Sequence, residues 1–278
     1  MKQPKVRSMV VAGAFYSEDP DILRRDIQKY LEAAQPPVSP AHPIGLISPH
    51  AGYQYSGGTA AYGYKLLIGK KYKRVIVFAL SHRVFFSGAS VFTGSGYETP
   101  FGIAPVDHEL IAKLQASSPI FTFSPAAEKL EHSLEVQIPF LQMVLGDFFL
   151  IPILIRDQDL ATCQMVADAI RKTLPAEDYN STLVVGSTDL YHGSSYSECK
   201  SSDSTFAETL LKFDEREFER MIRRNEMMAC GPASVMATML LSRALGAKKI
   251  ALLHQTNSAD VVGYKSDYVV GYLSAVLY

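Results

Sequence analysis

Two histidines, His50 and His82, each stand just beyond a short apolar run, residues 44–48 and 74–80. Neutral imidazole is the commonest metal ligand in proteins, and two of them supply two corners of a site while leaving room for water or substrate. Such a pair needs an anionic third ligand. Cys230 is the best candidate, because Cys230-Gly231-Pro232 directly precedes a long helical pattern whose positive end is expected to lower a thiol pKa. A carboxylate in that place would suit non-heme Fe(II), whereas a thiolate favours softer or borderline ions. A third apolar run, 181–187, passes into Thr188-Asp189-Leu190-Tyr191-His192, which adds Asp189 and His192 to the set. His132 and Glu135 are three apart, a spacing that puts both on one helical face, and they are candidates for orienting a ligand or moving a proton. Cys163, inside a helical pattern, and Cys199, in a polar stretch, are expected to be inert.

The elements around these residues alternate. Residues 17–34 read as a first helix, with Asp19 as cap and Pro20 at its first position. A proline-rich loop at 35–43 leads into the strand at 44–48, a glycine-rich turn follows, and 59–68 reads as helix. The β-branched run 74–80 (RVIVFAL) is the mark of a strand buried on both faces. A short strand at 89–93, a loop at 94–105, a helix at 107–116 and a helix started or interrupted near Pro139 within 131–145 come next. Strands at 148–155 and 181–187 enclose a helix at 160–174. A serine-rich loop at 193–204, a charged helix at 206–224, a helix at 231–245 and strands at 250–254 and 268–277 close the chain. Strands alternating with helices predict one α/β layer structure over 1–278. In the sheets of such structures polar groups gather beyond the carboxyl ends of the strands.

Composition narrows the function. The 27 basic and 28 acidic side chains nearly cancel and form no extended basic face, which argues against nucleic-acid binding. The amino-terminal stretch has too few apolar residues for a signal peptide or a membrane span, so a cytoplasmic location is expected. Three cysteines at wide spacing do not form a disulfide framework and suit a reducing compartment. Gly52, Gly57 and Gly58 lack the order of a phosphate loop.

Taken in order, VAGAFYSEDP at 11–20, SPHAGYQYSG at 48–57, LSHR at 80–83, YETPFG at 97–102, EHSLEVQIPFL at 131–141, STDLYH at 187–192, Cys230-Gly231 and the closing DVVGYKSDYVVGY resemble the Memo family, also described as AmmeMemoRadiSam system protein B. The family is similar in fold to class III extradiol dioxygenases of the LigB type, so the resemblance implies a three-layer α/β/α domain. It implies His50 and His82 as metal ligands, Cys230 where the dioxygenases carry a glutamate, and His192 with Asp189 in the acid-base position. Fe(II) is the expected ion, with copper or zinc as alternatives. The resemblance also links the family to receptor signalling and phosphopeptide binding in animals, and to AMMECR-like and radical SAM protein partners in prokaryotes. Here STDLYHG and CGPAS depart from the family's usual spellings, so Tyr191 and Gly193 alter the surroundings of His192.

The leading expectation is a metal-dependent, dioxygenase-like redox enzyme acting on a small molecule or peptide. One alternative is a protein that uses the same cleft only to bind metal or peptide. A second is a hydrolase with Cys230 as nucleophile, His192 as base and Asp189 as orienter.

Overall fold

The structure is a computed structural model that describes residues 5–263 and 267–278; positions 1–4 of the amino-terminal stretch and 264–266 of the closing motif lie outside the described residues. Its strands are β1 (Val6–Arg7), β2 (Gly45–Ser48), β3 (Arg74–Leu80), β4 (Ala89–Val91), β5 (Gly96–Thr99), β6 (Gly102–Pro105), β7 (Phe121–Thr122), β8 (Phe149–Ile155), β9 (Thr182–Ser187), β10 (His192–Gly193), β11 (Ile250–Asn257) and β12 (Val269–Leu277). The main sheet runs β10-β12-β2-β9-β3-β8-β4-β7, with β11 also paired to β12. Its centre, β2-β9-β3-β8, is parallel, and β12 and β4 border it antiparallel. Every residue of β2, β3 and β9 is buried, as their unbroken apolar runs require.

Helices cover both faces, so the domain is an α/β/α structure around a mixed sheet. Alternation along β2 shows the layering. Leu46 faces the helix Tyr53–Lys65, with a side-chain carbon 3.6 Å from where a Cβ on Gly63 would stand. Gly45 faces the helix Pro232–Ala244, where a Cβ would come within 2.3 Å of Ser242 Oγ. The same helix crosses β9 at Gly186, where a Cβ would lie 2.5 Å from Thr238 Oγ1. Glycine at these two strand positions lets the helix settle close against the sheet.

The order of the parallel strands builds the site. Since β9 lies between β2 and β3, the residues just beyond their carboxyl ends, His50, Asp189 and His82, emerge side by side. β12 runs the other way, so its beginning, with Val270 and Tyr272, reaches the same edge.

Several elements differ from the sequence-based expectation. The glycine-rich stretch is helix rather than turn, because the helix starts at Tyr53, and Gly57 lets it touch the Tyr30 ring of the helix Pro20–Ala33. The expected loop at 94–105 contains the β5-β6 hairpin, which β1 joins in a separate small sheet. The expected loop at 193–204 carries the start of the helix Tyr196–Leu211, capped by Ser195 accepting from the Glu198 N–H. Cys199 is therefore on a helix, and buried. The expected helix at 206–224 is broken by Phe213, at φ 52°, and restarts at Glu215 under the Asp214 cap. Glu131 and His132 precede the single turn Glu135–Gln137 instead of lying on a helix, so the shared helical face expected for His132 and Glu135 does not form. Among the described residues no helix is long and apolar enough to cross a membrane.

Candidate metal centre

His50 is 2% exposed and held on two sides. Its backbone N–H donates to Asp189 Oδ1 at 2.7 Å, and its Nδ1 lies 2.9 Å from Ser187 Oγ. The Ser187 hydroxyl donates its only proton to the Ser133 carbonyl at 2.6 Å and accepts from Gln137 Nε2 at 2.9 Å. Ser187 Oγ can therefore only accept from His50, which places the imidazole proton on Nδ1 and leaves the Nε2 lone pair free. That Nε2 lies 3.2 Å from Cys230 Sγ.

His82 is fixed in the same sense by a carboxylate. Its Nδ1 lies 2.8 Å from Glu131 Oε1, and its backbone N–H donates to Oε2 at 2.7 Å. The N–H groups of His132 and Ser133 also donate to Oε1, at 2.9 and 2.8 Å. Burial alone would raise the Glu131 carboxyl, but its hydrogen bond to the His82 ring and these backbone donors outweigh it and hold the group at about 2. Glu131 is thus an anion that keeps the His82 proton on Nδ1 and presents Nε2, an arrangement known to orient metal-binding imidazoles.

Cys230 is not among the cavity-lining residues and sits beside His50, just before the helix Pro232–Ala244. Its sulfur accepts the Asp189 N–H at 3.1 Å and has Thr188 Oγ1 at 3.7 Å. The lowered thiol pKa expected from the helix start does not result. Burial and the nearby Asp189 carboxylate push the thiol well up instead, so the sulfur would have to lose a proton to bind an ion.

The ligand atoms of His50, His82 and Cys230 all lie within 4.8 Å of one another. Bonds of about 2.0–2.3 Å set tetrahedral ligand separations of roughly 3.4–3.6 Å, so the trio is slightly open, and the 30% exposed His82 side chain has room to close in. Two lone pairs with fixed tautomers and one sulfur fit a borderline or soft divalent ion. His82, Glu131 and His132 also cluster within 4.8 Å, but Glu131 already receives the donors named above and acts through His82.

A cavity of about 560 Å³ opens over this edge, lined by His50, His82, His132, Asp189 and His192 and by the aromatic residues Phe15, Tyr55, Tyr268 and Tyr272. His132 stacks on His82 with ring centroids 4.6 Å apart and meets the Phe15 edge at 4.8 Å. Burial holds its imidazole down to about 4, against the pull of Glu131, and lowers His50 and His192 as well. All three imidazoles are then neutral at pH 7. His192 Nδ1 donates to the Leu190 carbonyl at 3.0 Å, which leaves its Nε2 able to take a proton. Burial pushes the Asp189 carboxyl up to about 7, while backbone N–H groups of His50 and Ala51 pull it down.

Of the residues singled out from the sequence, His50, His82, His132, Asp189 and His192 share the cavity and Cys230 stands against it. Glu135 is fully buried and is not among the lining residues. Its oxygens accept from Arg7 Nη1 at 2.7 Å, from the Val10 and Val11 N–H groups and from the Tyr16 hydroxyl. It anchors the amino-terminal segment. The Cys-His-Asp triad of the hydrolase expectation is not assembled: the imidazole beside Cys230 is His50, and His192 bonds to a carbonyl rather than to Asp189. Sequence reasoning grouped Glu131 with His132 and Glu135 without its contact to His82, and it missed Ser187 as an orienting residue. The acidic residue preceding His132 and the polar end of β9 were the available signals.

Comparison with known proteins agrees over nearly the whole chain. Residues 7–276 match the family model described as Memo-like protein. A MEMO1 family protein of Nitrosopumilus maritimus is 33% identical over 275 residues, covering 96% of this chain and 98% of that protein. MEMO1 family proteins of Thermoplasma volcanium and Thermotoga neapolitana are also each 33% identical, covering 98% of this chain and 98% and 99% of their own lengths.

Proposed function

We infer, from the fact that this chain belongs to the Memo family and from the cluster at its strand ends, that it is a metal-dependent redox enzyme acting on a small molecule or peptide. His50, His82 and Cys230 would hold the ion, Fe(II) first and copper or zinc as alternatives. Such an ion supplies Lewis acidity and, for iron or copper, one-electron chemistry toward oxygen. Ser187 and Glu131 fix the two ligand tautomers. His192, neutral and with Nε2 available, takes a proton from the cavity and returns it. His132 and Asp189 supply the remaining polar wall, and the aromatic residues exclude water from an apolar occupant. The observation that carries this reading is the pairing of two imidazoles, each with Nδ1 engaged, with a cysteine sulfur 3.2 Å from the Nε2 of His50.

The test is oxygen uptake by protein loaded anaerobically with Fe(II) or Cu(I) and supplied with candidate reductants. His192→Ala should keep the metal and lose at least 100-fold in turnover, the usual scale of general acid-base catalysis. A metal-loaded parent that turns over no oxygen with any reductant contradicts the enzyme reading and leaves a protein that binds through the same cleft.

A further inference from the structure

The carbonyl that accepts from His192 Nδ1 belongs to Leu190, and the other end of that peptide unit is the Tyr191 N–H, which donates to Asp203 Oδ1 at 3.2 Å. The C=O and N–H of a trans peptide point opposite ways in one plane, and no peptide bond among the described residues is cis. Asp203 and His192 hold one rigid unit from its two ends. A carboxylate at the N–H end polarises the peptide and makes its carbonyl a better acceptor for the imidazole proton.

Asp203 is built into this place. It lies on the helix Tyr196–Leu211, is 2% exposed and is not among the residues lining the cavity over the metal centre. Its Oδ2 accepts from the Cys199 thiol at 3.4 Å and presses on β12 at Gly271, where a Cβ would overlap the carboxylate. The Gly271 backbone accepts the Leu190 N–H at 2.8 Å and donates to the Tyr191 carbonyl at 2.9 Å. Every polar backbone group of Leu190 and Tyr191 is thus engaged. The positions that depart from the family's usual spelling belong to the same brace. The Tyr191 hydroxyl takes the space that a Cβ on Gly193 would need, and it donates to Glu198 Oε2, on the helix that carries Asp203, at 3.0 Å. Burial pushes the Asp203 carboxyl up to about 6, against the pull of the Tyr191 N–H and the Cys199 thiol, so it is an anion at about pH 8.

We propose that Asp203 is a positioning residue for His192: through the Leu190–Tyr191 peptide it keeps the imidazole proton on Nδ1 and the Nε2 lone pair available. Its use in turnover rests on the reading of His192 as proton carrier, but the tautomer can be read without turnover.

The test is ring ¹⁵N NMR of the full chain at about pH 8, where the imidazole is neutral, with chelator present and the His192 signals identified by their loss in His192→Gln. The parent should carry the proton on Nδ1. Asp203→Ala leaves the Tyr191 N–H unpaired and should move the tautomer ratio toward Nε2–H by roughly tenfold, the scale of one hydrogen bond. Asp203→Asn keeps an acceptor there and should restore the ratio to within about threefold of the parent. In metal-loaded protein Asp203→Ala should lower kcat and leave KM unchanged, because Asp203 is not a cavity residue. A tautomer shift in a protein whose parent consumes no oxygen supports the positioning and contradicts only the enzyme reading. An Asp203→Ala chain that keeps Nδ1–H as fully as the parent, or an Asp203→Asn chain shifted as far as Asp203→Ala, would overturn the proposal. Where Asp203→Ala does not fold, a proton on Nε2 in the parent or in Asp203→Asn overturns it equally.

Discussion

The two candidate imidazole ligands differ in how they are held, and the difference is testable at single residues. Ser187 fixes His50 through a neutral hydroxyl, whereas Glu131 fixes His82 through a carboxylate that also gathers backbone N–H groups. Partners of this kind typically contribute 10–100-fold to metal affinity. We expect Glu131→Gln to weaken Fe(II) or Zn(II) binding within that range, since the amide can accept from His82 but carries no charge. Calorimetric titration under anaerobic conditions measures it, and an unchanged affinity would show that His82 does not ligate. The two candidate imidazoles were legible in the sequence as polar residues just after apolar runs. Glu135 was misread because its partner Arg7 lies 128 positions away, a pairing that local spacing cannot reveal.

At the scale of elements, the site depends on how closely the helix Pro232–Ala244 can lie on β2 and β9. Cys230 sits just before that helix, so any displacement of the helix moves the sulfur from His50. Gly186→Ala would place a methyl group 2.5 Å from Thr238 Oγ1 and 3.0 Å from the Ser234 carbonyl oxygen. We expect it to cost about 1–3 kcal/mol, the usual penalty of overpacking a filled interior, as measured by denaturant unfolding. A stability equal to the parent would mean that the helix shifts freely. The long strands were legible because runs such as RVIVFAL fit a sheet covered on both faces. The β5-β6 hairpin was not, since its strands are short, glycine-rich and completed by β1 from far away in sequence. The helix Tyr196–Leu211 was hidden by its serines, although Ser195 followed by Glu198 is a start signal that could have been read.

At the scale of the whole molecule, the amino-terminal segment is tied to the region around 128–135 by Arg7, Tyr97, Glu128 and Glu135. This buried cluster gives stability a pH dependence. Burial, opposed by the Tyr97 hydrogen bond and by Arg7, pushes the Glu128 carboxyl from 4.5 up to about 7. The folded chain therefore binds that proton more tightly than the unfolded chain. Its contribution to stability is complete below pH 4.5 and is lost as pH rises through 7. Glu128→Gln keeps an acceptor for Tyr97 and removes the titration. We expect the variant to gain on the parent by on the order of 2–3 kcal/mol between pH 4 and 8 in urea unfolding. A constant difference across that range would mean that Glu128 titrates normally.

Whether Cys230 completes a metal site with His50 and His82 is answered by metal content measured side by side. Parent and Cys230→Ser are purified anaerobically, analysed for iron, copper and zinc, and titrated with Fe(II) and Cu(I), with unfolding followed in parallel. A hydroxyl cannot replace a thiolate as a soft, anionic ligand at neutral pH, and the swap removes little packing volume. We expect the parent to carry close to one equivalent of metal, and the variant to bind at least about 100-fold more weakly while losing under about 1.5 kcal/mol of stability. A Cys230→Ser protein that binds both ions as the parent does would contradict the assignment.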